Sequence, residues 1–326
     1  MAQIIYLFKI LRETKLFTFN VNKNIDFFDY LNSHLKLLLQ PINDFHSYRK
    51  AYKNYLHVIL NKRSNNYPIK AILRNNKILT IENISQLRIT RWASEAHYEF
   101  QNELLVIKKK GFPEIKLYDW KENGDISGVF FEEQYGSLPV RDKEIIDVGA
   151  NIGDTSIYFA LRGAKKVIAL EPAMKNFQSA KKNVELNGLS NKIEIIMAGC
   201  SGKEGSISVN KDRSGVMYSL EQDEQNEIKV PLKTLEEILK RVNTRPCVLK
   251  IDCEGCEYET ILSASKETLS NFSHIQIEYH FGYKNLKKKL QSCGFDVFIT
   301  KPQIGHRLYK EARKSFFGYI FAKKIS

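Results

Sequence analysis

Acidic and histidine side chains follow two apolar stretches in the second half of the chain. VLKIDCEGCEYE carries Lys250, Asp252 and Glu254, and HIQIEYH carries Glu278 and His280. Alternate side chains of a β-strand share a face, so these five residues converge if the two stretches pair in register as strands. Such a group can accept the proton of a substrate hydroxyl, with Asp252 and then His280 as the candidate bases. The alternative for Lys250 and Glu278 is an ion pair that only organises the sheet.

A metal ion is a lesser alternative at the same place. Carboxylates with a histidine can hold a divalent cation such as Mg²⁺, which would activate a bound hydroxyl, but we do not expect a metal. The five cysteines are odd in number and irregularly spaced, which argues against a disulfide framework and favours a reducing compartment. Cys253 and Cys256 form a single C-x-x-C, with no second pair and no histidine at zinc spacing, so no metal or redox role is expected for them.

A turn with two glycines follows an apolar strand in EIIDVGANIGDTSIYFALRGA. Gly149 and Gly153 permit a tight turn and the close approach of a ligand, and Asp154 can cap the helix that follows. A dinucleotide fingerprint would need glycine where Asn151 and Asp154 stand, and Asp154 would repel a pyrophosphate. A nucleoside cofactor without phosphate, such as S-adenosylmethionine, fits this turn better.

The next apolar strand, KVIALE, ends at Glu171, twenty-two residues after Gly149. An acidic side chain at the end of the second strand of such a unit is placed to accept hydrogen bonds from both hydroxyls of a ribose. The alternative is an exposed surface charge. With the glycine turn upstream, the pair indicates a nucleoside site.

These residues need a sheet to position them. From residue 143 onward, apolar strands alternate with helical patterns, which predicts a parallel sheet with helices on both faces and a ligand outside the carboxyl ends of the strands. The predicted organisation is a helical region at 1–66, a β-rich or mixed extension at 67–128 and a cofactor-binding domain at 129–326.

The extension has weaker patterns. A helix that begins near Phe27 is predicted to end at Pro41, and a hairpin is predicted to turn at Asn75–Asn76. WASEAHYEFQNELLVIKKKG predicts a helix that ends at Gly111, and IKLYDW and GVFFEEQY predict two strands.

Four motifs, taken together and in order, resemble the FkbM family of S-adenosylmethionine-dependent methyltransferases. D-x-G-A-N-x-G stands at 147–153, E-P at 171–172, K-x-D-x-E-G at 250–255 and E-x-H at 278–280. The resemblance implies an α/β class I methyltransferase (Rossmann-like) fold with a seven-stranded, mostly parallel sheet. GFDVFIT and FFGYIFAKK would form its antiparallel last hairpin, and the N-terminal helical and β-rich extension would lie outside it.

The resemblance also implies roles by position. The glycine turn would hold the methionine part of the cofactor, Glu171 the ribose, and Asn187 with the segment 198–199 the adenine, while Asp252 and Glu254 would face the methyl group and the substrate. The implied cofactor-binding residues are Asp147, Gly149, Ala150, Asn151, Gly153, Asp154, Glu171, Pro172, Asn187, Ala198, Gly199 and Asp252. The implied reaction is O-methylation of a hydroxyl on a sugar, a glycan or another small metabolite.

The charge distribution keeps two other functions open. The net charge is +13, of which residues 1–143 supply +7 (22 basic, 15 acidic), residues 144–300 supply none (21 of each) and residues 301–326 supply +6 (7 basic, 1 acidic). Basic flanks can meet RNA, an anionic membrane or a lipid-linked substrate, or can simply be solvated. RNA methylation ranks second, because the carboxylates at the entrance of the candidate site would repel the phosphate backbone of RNA. A non-catalytic cofactor-binding module is the third reading.

The expected location is cytoplasmic. The apolar run at residues 4–8 is too short for a signal peptide, and no stretch of the sequence approaches the ~20 apolar residues of a membrane span.

Overall fold

A computed structural model describes residues 24–92, 97–101, 103–121, 125–210, 227–304 and 316–325. The apolar run at residues 4–8 lies outside these ranges. Among the described helices, none is long and apolar enough to cross a bilayer.

The N-terminal part contains three helices and a hairpin. Its elements are α1 (Phe27–Ala51), α2 (Tyr55–Arg63), β1 (Ile69–Ile72), β2 (Ile78–Ile81) and α3 (Ile84–Thr90). The predicted end of α1 at Pro41 is wrong, since the helix continues to Ala51. The predicted hairpin is confirmed: β1 and β2 pair antiparallel, and Asn76 takes the left-handed conformation (φ 70°) that such a turn requires.

A second antiparallel sheet occupies the stretch that was predicted to be a helix up to Gly111. It consists of β3 (His97–Gln101), β4 (Leu104–Lys108) and β5 (Ile115–Tyr118), followed by α4 (Ile126–Phe130). Tyr98 pairs with Ile107 across β3 and β4, and both are buried. The burial of Tyr98 on β3 and of three successive residues on β4 outweighs the helix-forming residues of this segment. The strand predicted from GVFFEEQY is also wrong, because α4 and a turn take its place.

The largest sheet is built by the second half of the chain. The elements are β6 (Glu144–Val148), α5 (Asp154–Leu161), β7 (Lys166–Leu170), α6 (Met174–Leu186), β8 (Ile193–Ile196), β9 (Gly199–Cys200), β10 (Gly205–Asn210), β11 (Glu227–Lys233), α7 (Leu235–Leu239), β12 (Cys247–Ile251), α8 (Cys256–Ser263), α9 (Lys266–Ser270), β13 (Phe272–Tyr279), α10 (Lys284–Ser292), β14 (Phe295–Ile299), β15 (Gln303–Ile304) and β16 (Phe316–Lys324).

The strand order of the large sheet is β14-β16-β13-β12-β6-β7-β8, with the short β15 paired to β16. The sheet is mixed: β16 runs antiparallel to both of its neighbours on this path, and the other pairs are parallel. β15 adds an eighth strand to the predicted seven, and the predicted hairpin of β14 and β16 is present. The chain moves outward from β6 to β8 and then returns to β12 on the other side of β6. The carboxyl ends of β6 and β12 therefore flank a switch point, where such sheets bind ligands.

Apolar clusters pack on both faces of this sheet. Alternate residues of β6 divide between them, with Ile146 and Val148 in one cluster and Ile145 in the other. The second cluster also contains Trp120 and Phe130, which precede the sheet in sequence. The extension from Ile89 onward therefore shares this second cluster with the large sheet, whereas its residues from Tyr48 to Leu87 form a separate cluster.

Candidate active site

The glycine turn lies directly against the end of β12. A Cβ atom placed on Gly149 (φ +77°) would stand 1.7 Å from the carbonyl oxygen of Asp252. One on Gly153 (φ +83°) would stand 3.3 Å from the backbone of Ala180 in α6. The sequence predicted that a ligand approaches both glycines closely. The atoms that approach them in the structure belong to the protein backbone. The turn and the carboxyl end of β12 are thereby held in contact, while the N–H groups of Gly149 and Ala150 both donate to the carbonyl of Leu170.

Lys250 and Asp147 form the buried support of this turn. The Lys250 ammonium lies 3.0 Å from Oδ1 of Asp147 and donates to the carbonyls of Gly149 (2.7 Å) and Val148 (3.3 Å). Burial opposes the charge of Lys250, but the neighbouring carboxylates, Asp147 first, raise its pKa above the ordinary value. The predicted ion pair of Lys250 with Glu278 is therefore wrong, because Lys250 pairs with Asp147, and its predicted place in the catalytic group stays a prediction.

Asp147 also fixes the start of α5. Its Oδ2 accepts hydrogen bonds from the hydroxyls of Thr155 (2.7 Å) and Ser156 (2.6 Å). Both oxygens of Asp147 are thus engaged by the protein, so its influence on a bound cofactor runs through the turn. The N-cap of α5 is Gly153 and not the predicted Asp154, which is the first residue of the helix.

Oδ1 of Asp147 makes no hydrogen bond but lies beside the Lys250 ammonium. Two further buried oxygen atoms near the turn have no hydrogen-bond partner among the described residues. They are Oδ1 of Asn151 and Oδ2 of Asp154. Burial and, after it, the charge of Asp125 raise the pKa of Asp154 to about 7. Buried acceptors without donors are costly, and a ligand ammonium would satisfy them. The turn therefore fits the methionine ammonium of S-adenosylmethionine.

Glu171 stands at the end of β7, next to the turn. Its two oxygens accept hydrogen bonds from the N–H groups of Asn151 and Ala173, each at 2.9 Å. Burial raises its pKa to about 7, although these N–H groups act in the opposite direction. Each carboxylate oxygen retains a second lone pair. The predicted ribose contact is therefore compatible with the geometry of Glu171 and stays a prediction.

The assignment of Asn187 to the adenine is wrong. Asn187 ends α6, and a crossover helix between parallel strands ends at the edge where the strands begin, opposite the glycine turn. Its side chain accepts from the N–H of Lys116 (2.9 Å) and donates to the carbonyl of the same residue (2.7 Å). Asn187 therefore secures β5 against α6. In contrast, the segment 198–199 follows β8 at the edge that carries the turn, and Pro172 follows β7 there.

The predicted acidic group does converge at the carboxyl ends of β12 and β13. Nε2 of His280 lies 3.2 Å from Glu254 and 3.9 Å from Asp252, and its Nδ1 lies 3.1 Å from Oε1 of Glu257. Burial opposes the charge of His280, but the carboxylates, Glu257 first, raise its pKa to about 10. Burial and then Asp252 raise the pKa of Glu278 well above its usual range.

Sequence reasoning missed four residues that complete this group. Glu257 is fully buried in the first turn of α8 and also accepts from the N–H of Cys253. Tyr135 donates to Asp252 Oδ2 at 3.1 Å, and Gln134 donates to Asp125 at 3.1 Å. Gln134 and Tyr135 lie in EEQYGSL, before the first of the four motifs, and no pattern in the sequence pointed to Asp125 or Glu257.

Two sets of described side chains bring potential metal ligands together. Asp252, Glu254 and His280 form one set, and Asp125, Asp252 and Glu278 form the other, with ligand atoms within 4.8 Å of one another in each. Acidic groups of this kind also occur without metal. The expectation of no metal therefore stays a prediction.

A disulfide joins Cys253 and Cys256, although the odd number and irregular spacing of the cysteines argued against disulfides. Glu254 and Gly255 between them both have positive φ (57° and 129°), and this turn brings the two Cα atoms to 5.6 Å, within the usual range for a disulfide. Spacing alone does not reveal such a turn. The other three cysteines are buried and free.

Comparison with known proteins identifies this arrangement. Residues 147–297 match the family model of the methyltransferase FkbM domain. An uncharacterized protein of Sulfolobus islandicus rod-shaped virus 1 is 43% identical over 73 residues, which is 22% of this chain and 41% of that protein. The ribosomal protein L11 methyltransferase of Bacillus pumilus (strain SAFR-032) is 36% identical over 70 residues, 20% of this chain and 22% of that protein. The chain thus spans less than two thirds of the length of these relatives.

Among solved structures, the methyltransferase FkbM of Methylobacillus flagellatus KT has a TM-score of 0.41 and 17% identity over 60% of this chain and 47% of that one. The match of residues 147–297 to this family model confirms the resemblance seen in the sequence and supports the prediction of S-adenosylmethionine as the cofactor.

Proposed function

We propose that this protein transfers the methyl group of S-adenosylmethionine to a hydroxyl of a sugar, a glycan or another small metabolite. The observation that carries the proposal is the contact between the glycine turn and the carbonyl of Asp252. It sets the cofactor turn beside the end of β12, where the acidic group converges. When bound, the cofactor would supply an electrophilic methyl group on a good leaving group.

The chain itself must then align the acceptor and take its proton. An alcohol attacks poorly unless a base accepts the proton as the new bond forms. His280, with a pKa of about 10, is protonated at neutral pH and cannot accept it. This leaves Asp252 as the base. The imidazolium of His280 lies 3.9 Å from Oδ1 of Asp252 and sets a positive charge beside this carboxylate.

The cofactor side of the site would be held by the turn and by Glu171. The side-chain oxygens of Asn151 and Asp154 that have no partner would accept hydrogen bonds from the cofactor ammonium. Glu171 would accept hydrogen bonds from the ribose hydroxyls. Lys250 would keep the turn in place through its bonds to the carbonyls of Val148 and Gly149. The role of these residues is binding and orientation, which is the main requirement of a displacement with a good leaving group.

A labelled-methyl assay on cell extract tests this function. The extract is separated into RNA, lipid-linked and small-molecule fractions, and incorporation is compared for the wild type, Asp252→Asn and Asp296→Asn. Asp296 lies exposed on β14 and provides the matched control. We expect Asp252→Asn to retain cofactor binding and to lose transfer by about 10²–10⁴-fold. Asp252→Asn with wild-type transfer would refute the role of this carboxylate.

RNA methylation is the second candidate, and one described surface favours it. Helix α10 carries Lys287, Lys288 and Lys289, which are partly or fully exposed, and Lys284, which pairs with Asp26 at 2.7 Å. Such a row can neutralise phosphates. Label in the RNA fraction alone would replace the first proposal by this one. Contact with an anionic membrane or a lipid-linked substrate would appear as label in the lipid-linked fraction.

A further inference from the structure

Tyr135 reaches the candidate base from outside the family-matching region. It lies twelve residues before residue 147 and is fully buried. Its hydroxyl donates to Oδ2 of Asp252 at 3.1 Å, across 117 residues of sequence. Its ring packs edge-on against Phe159, with the ring centroids 5.9 Å apart. The phenol is thus aimed at one named oxygen of the carboxylate.

The backbone around Tyr135 is fixed from a second side. The Arg162 guanidinium donates to the carbonyls of Tyr135 (3.2 Å) and Gly136 (2.8 Å). Residue 135 therefore cannot withdraw from Asp252 without breaking bonds to α5. The phenol stays protonated and able to donate, because burial and then the charge of Asp252 raise the pKa of Tyr135 well above its usual range.

The preceding residue ties the same segment to the far side of the site. The Gln134 carbonyl accepts from the side chain of Gln276 at 2.8 Å, and its Oε1 accepts from the Tyr319 hydroxyl at 3.0 Å. Its amide nitrogen donates to Oδ2 of Asp125 at 3.1 Å. A Cβ on Gly128 would stand 2.3 Å from Oε1 of Gln134, so this side chain fills the space beside α4. The segment is therefore anchored to β13, β16 and α4 at once.

We propose that Tyr135 is a positioning residue for methyl transfer. Its hydroxyl occupies Oδ2 of Asp252 and leaves Oδ1, the oxygen that faces His280, to receive the proton of the acceptor. The inference rests on the proposed function, since it assigns a role relative to Asp252 as base. It places part of the catalytic apparatus between α4 and β6, before the residues that match the family model.

Tyr135→Phe removes the hydroxyl and keeps the ring. A carboxylate that loses a donor to its ionised form holds a proton more tightly, so the acid limb of the pH–rate profile should move to higher pH. We expect kcat to fall by about tenfold or more, with the KM for S-adenosylmethionine unchanged, because the lost bond is a charge-assisted one at the base. Tyr158→Phe is the matched control: Tyr158 is equally buried in the same cluster, and its hydroxyl bonds no described carboxylate.

The assay uses the full chain, labelled S-adenosylmethionine and the extract fraction that accepts label from the wild type. Thermal unfolding and calorimetric cofactor binding confirm that each variant is folded. If Tyr135→Phe does not fold, 3,5-difluorotyrosine at this position keeps the shape and strengthens the donor, so the acid limb should move to lower pH. A Tyr135→Phe profile identical to that of Tyr158→Phe, or an unmoved limb with the fluorinated residue, overturns the inference. If the wild type transfers label to no fraction, the proposed function and this inference both fail. If the wild type is active and Tyr135→Phe has the same kcat and pH–rate profile, only the inference fails.

Discussion

Replacing Gly149 with alanine tests how the cofactor turn and the base are held together. The added Cβ would stand 1.7 Å from the carbonyl oxygen of Asp252, whereas such contacts are essentially never shorter than 3.0 Å. The turn and the end of β12 must therefore separate by about 1.3 Å, the difference between these two distances. Alanine in the left-handed conformation of Gly149 adds a strain of about 1–2 kcal/mol. A displacement of this size between reacting groups can reduce the rate by about 10²-fold.

The chain offers a control that separates the two costs. Gly188 has a similar φ of +67°, but a Cβ at this position meets nothing within 4 Å. Gly188→Ala should therefore cost only the conformational strain, about 1–2 kcal/mol, and leave cofactor affinity and turnover unchanged. Gly149→Ala should cost more stability than this, weaken cofactor binding and lower kcat/KM by about 10²-fold.

Urea unfolding, calorimetry with S-adenosylmethionine and the labelled-methyl assay measure the three quantities for both variants. Equal stability and equal activity in Gly149→Ala and Gly188→Ala would refute the reasoning, because the carbonyl contact would then have no energetic consequence. A loss of stability in Gly149→Ala with intact cofactor affinity would show that the contact supports the fold without shaping the site.

Buried charges and the acidic group give three further tests. Burial raises the pKa of Glu171 to about 7 from an ordinary value of 4.5, so the folded state binds the proton more tightly than the unfolded state. The stability gained in this way is complete below pH 4.5 and is lost as the pH rises through about 7. Glu171→Gln should therefore remove this slope from a plot of unfolding free energy against pH. An unchanged slope in the variant would assign the effect to another group. Lys250→Met leaves Asp147 buried without its cation and should lower the free energy of unfolding in urea by about 3–5 kcal/mol. Adding Asp147→Asn to the same chain should restore part of this loss. A loss of only the ~0.5 kcal/mol typical of a surface substitution would contradict the support role assigned to Lys250. A chelator should leave turnover unchanged, and a loss that Mg²⁺ restores would instead place a metal at the acidic group around Asp252.

The sheet and its cofactor turn were predictable because their signals are local. Gly149, Asn151 and Glu171 stand at fixed distances from two apolar strands, and the alternation of strands and helices fixes which edge they share. The convergence of Asp252, Glu254, Glu278 and His280 was also predictable, because it needs only the pairing of β12 and β13.

The failures have physical reasons of a different kind. The segment 97–108 has helix-forming residues and an apolar pattern that suits either structure, and only its burial against Trp120 and its neighbours makes it a hairpin. The family resemblance assigned Asn187 to the adenine by its place in the sequence alone. Its side-chain amide instead forms hydrogen bonds with the backbone of Lys116 in β5. The bond from Tyr135 to Asp252 joins residues that no local pattern connects.

The shared core of the extension and the large sheet sets a rule for building hybrids of this enzyme. Trp120 and Phe130 pack in one cluster with Ile145 and Val248, so a graft of residues 147–297 onto a foreign scaffold would cut through apolar contacts on one face. Large-to-small gaps in such a core cost about 2–5 kcal/mol each. A workable junction would therefore fall upstream of β3, so that donor and recipient exchange the small antiparallel sheet along with the Rossmann-like unit.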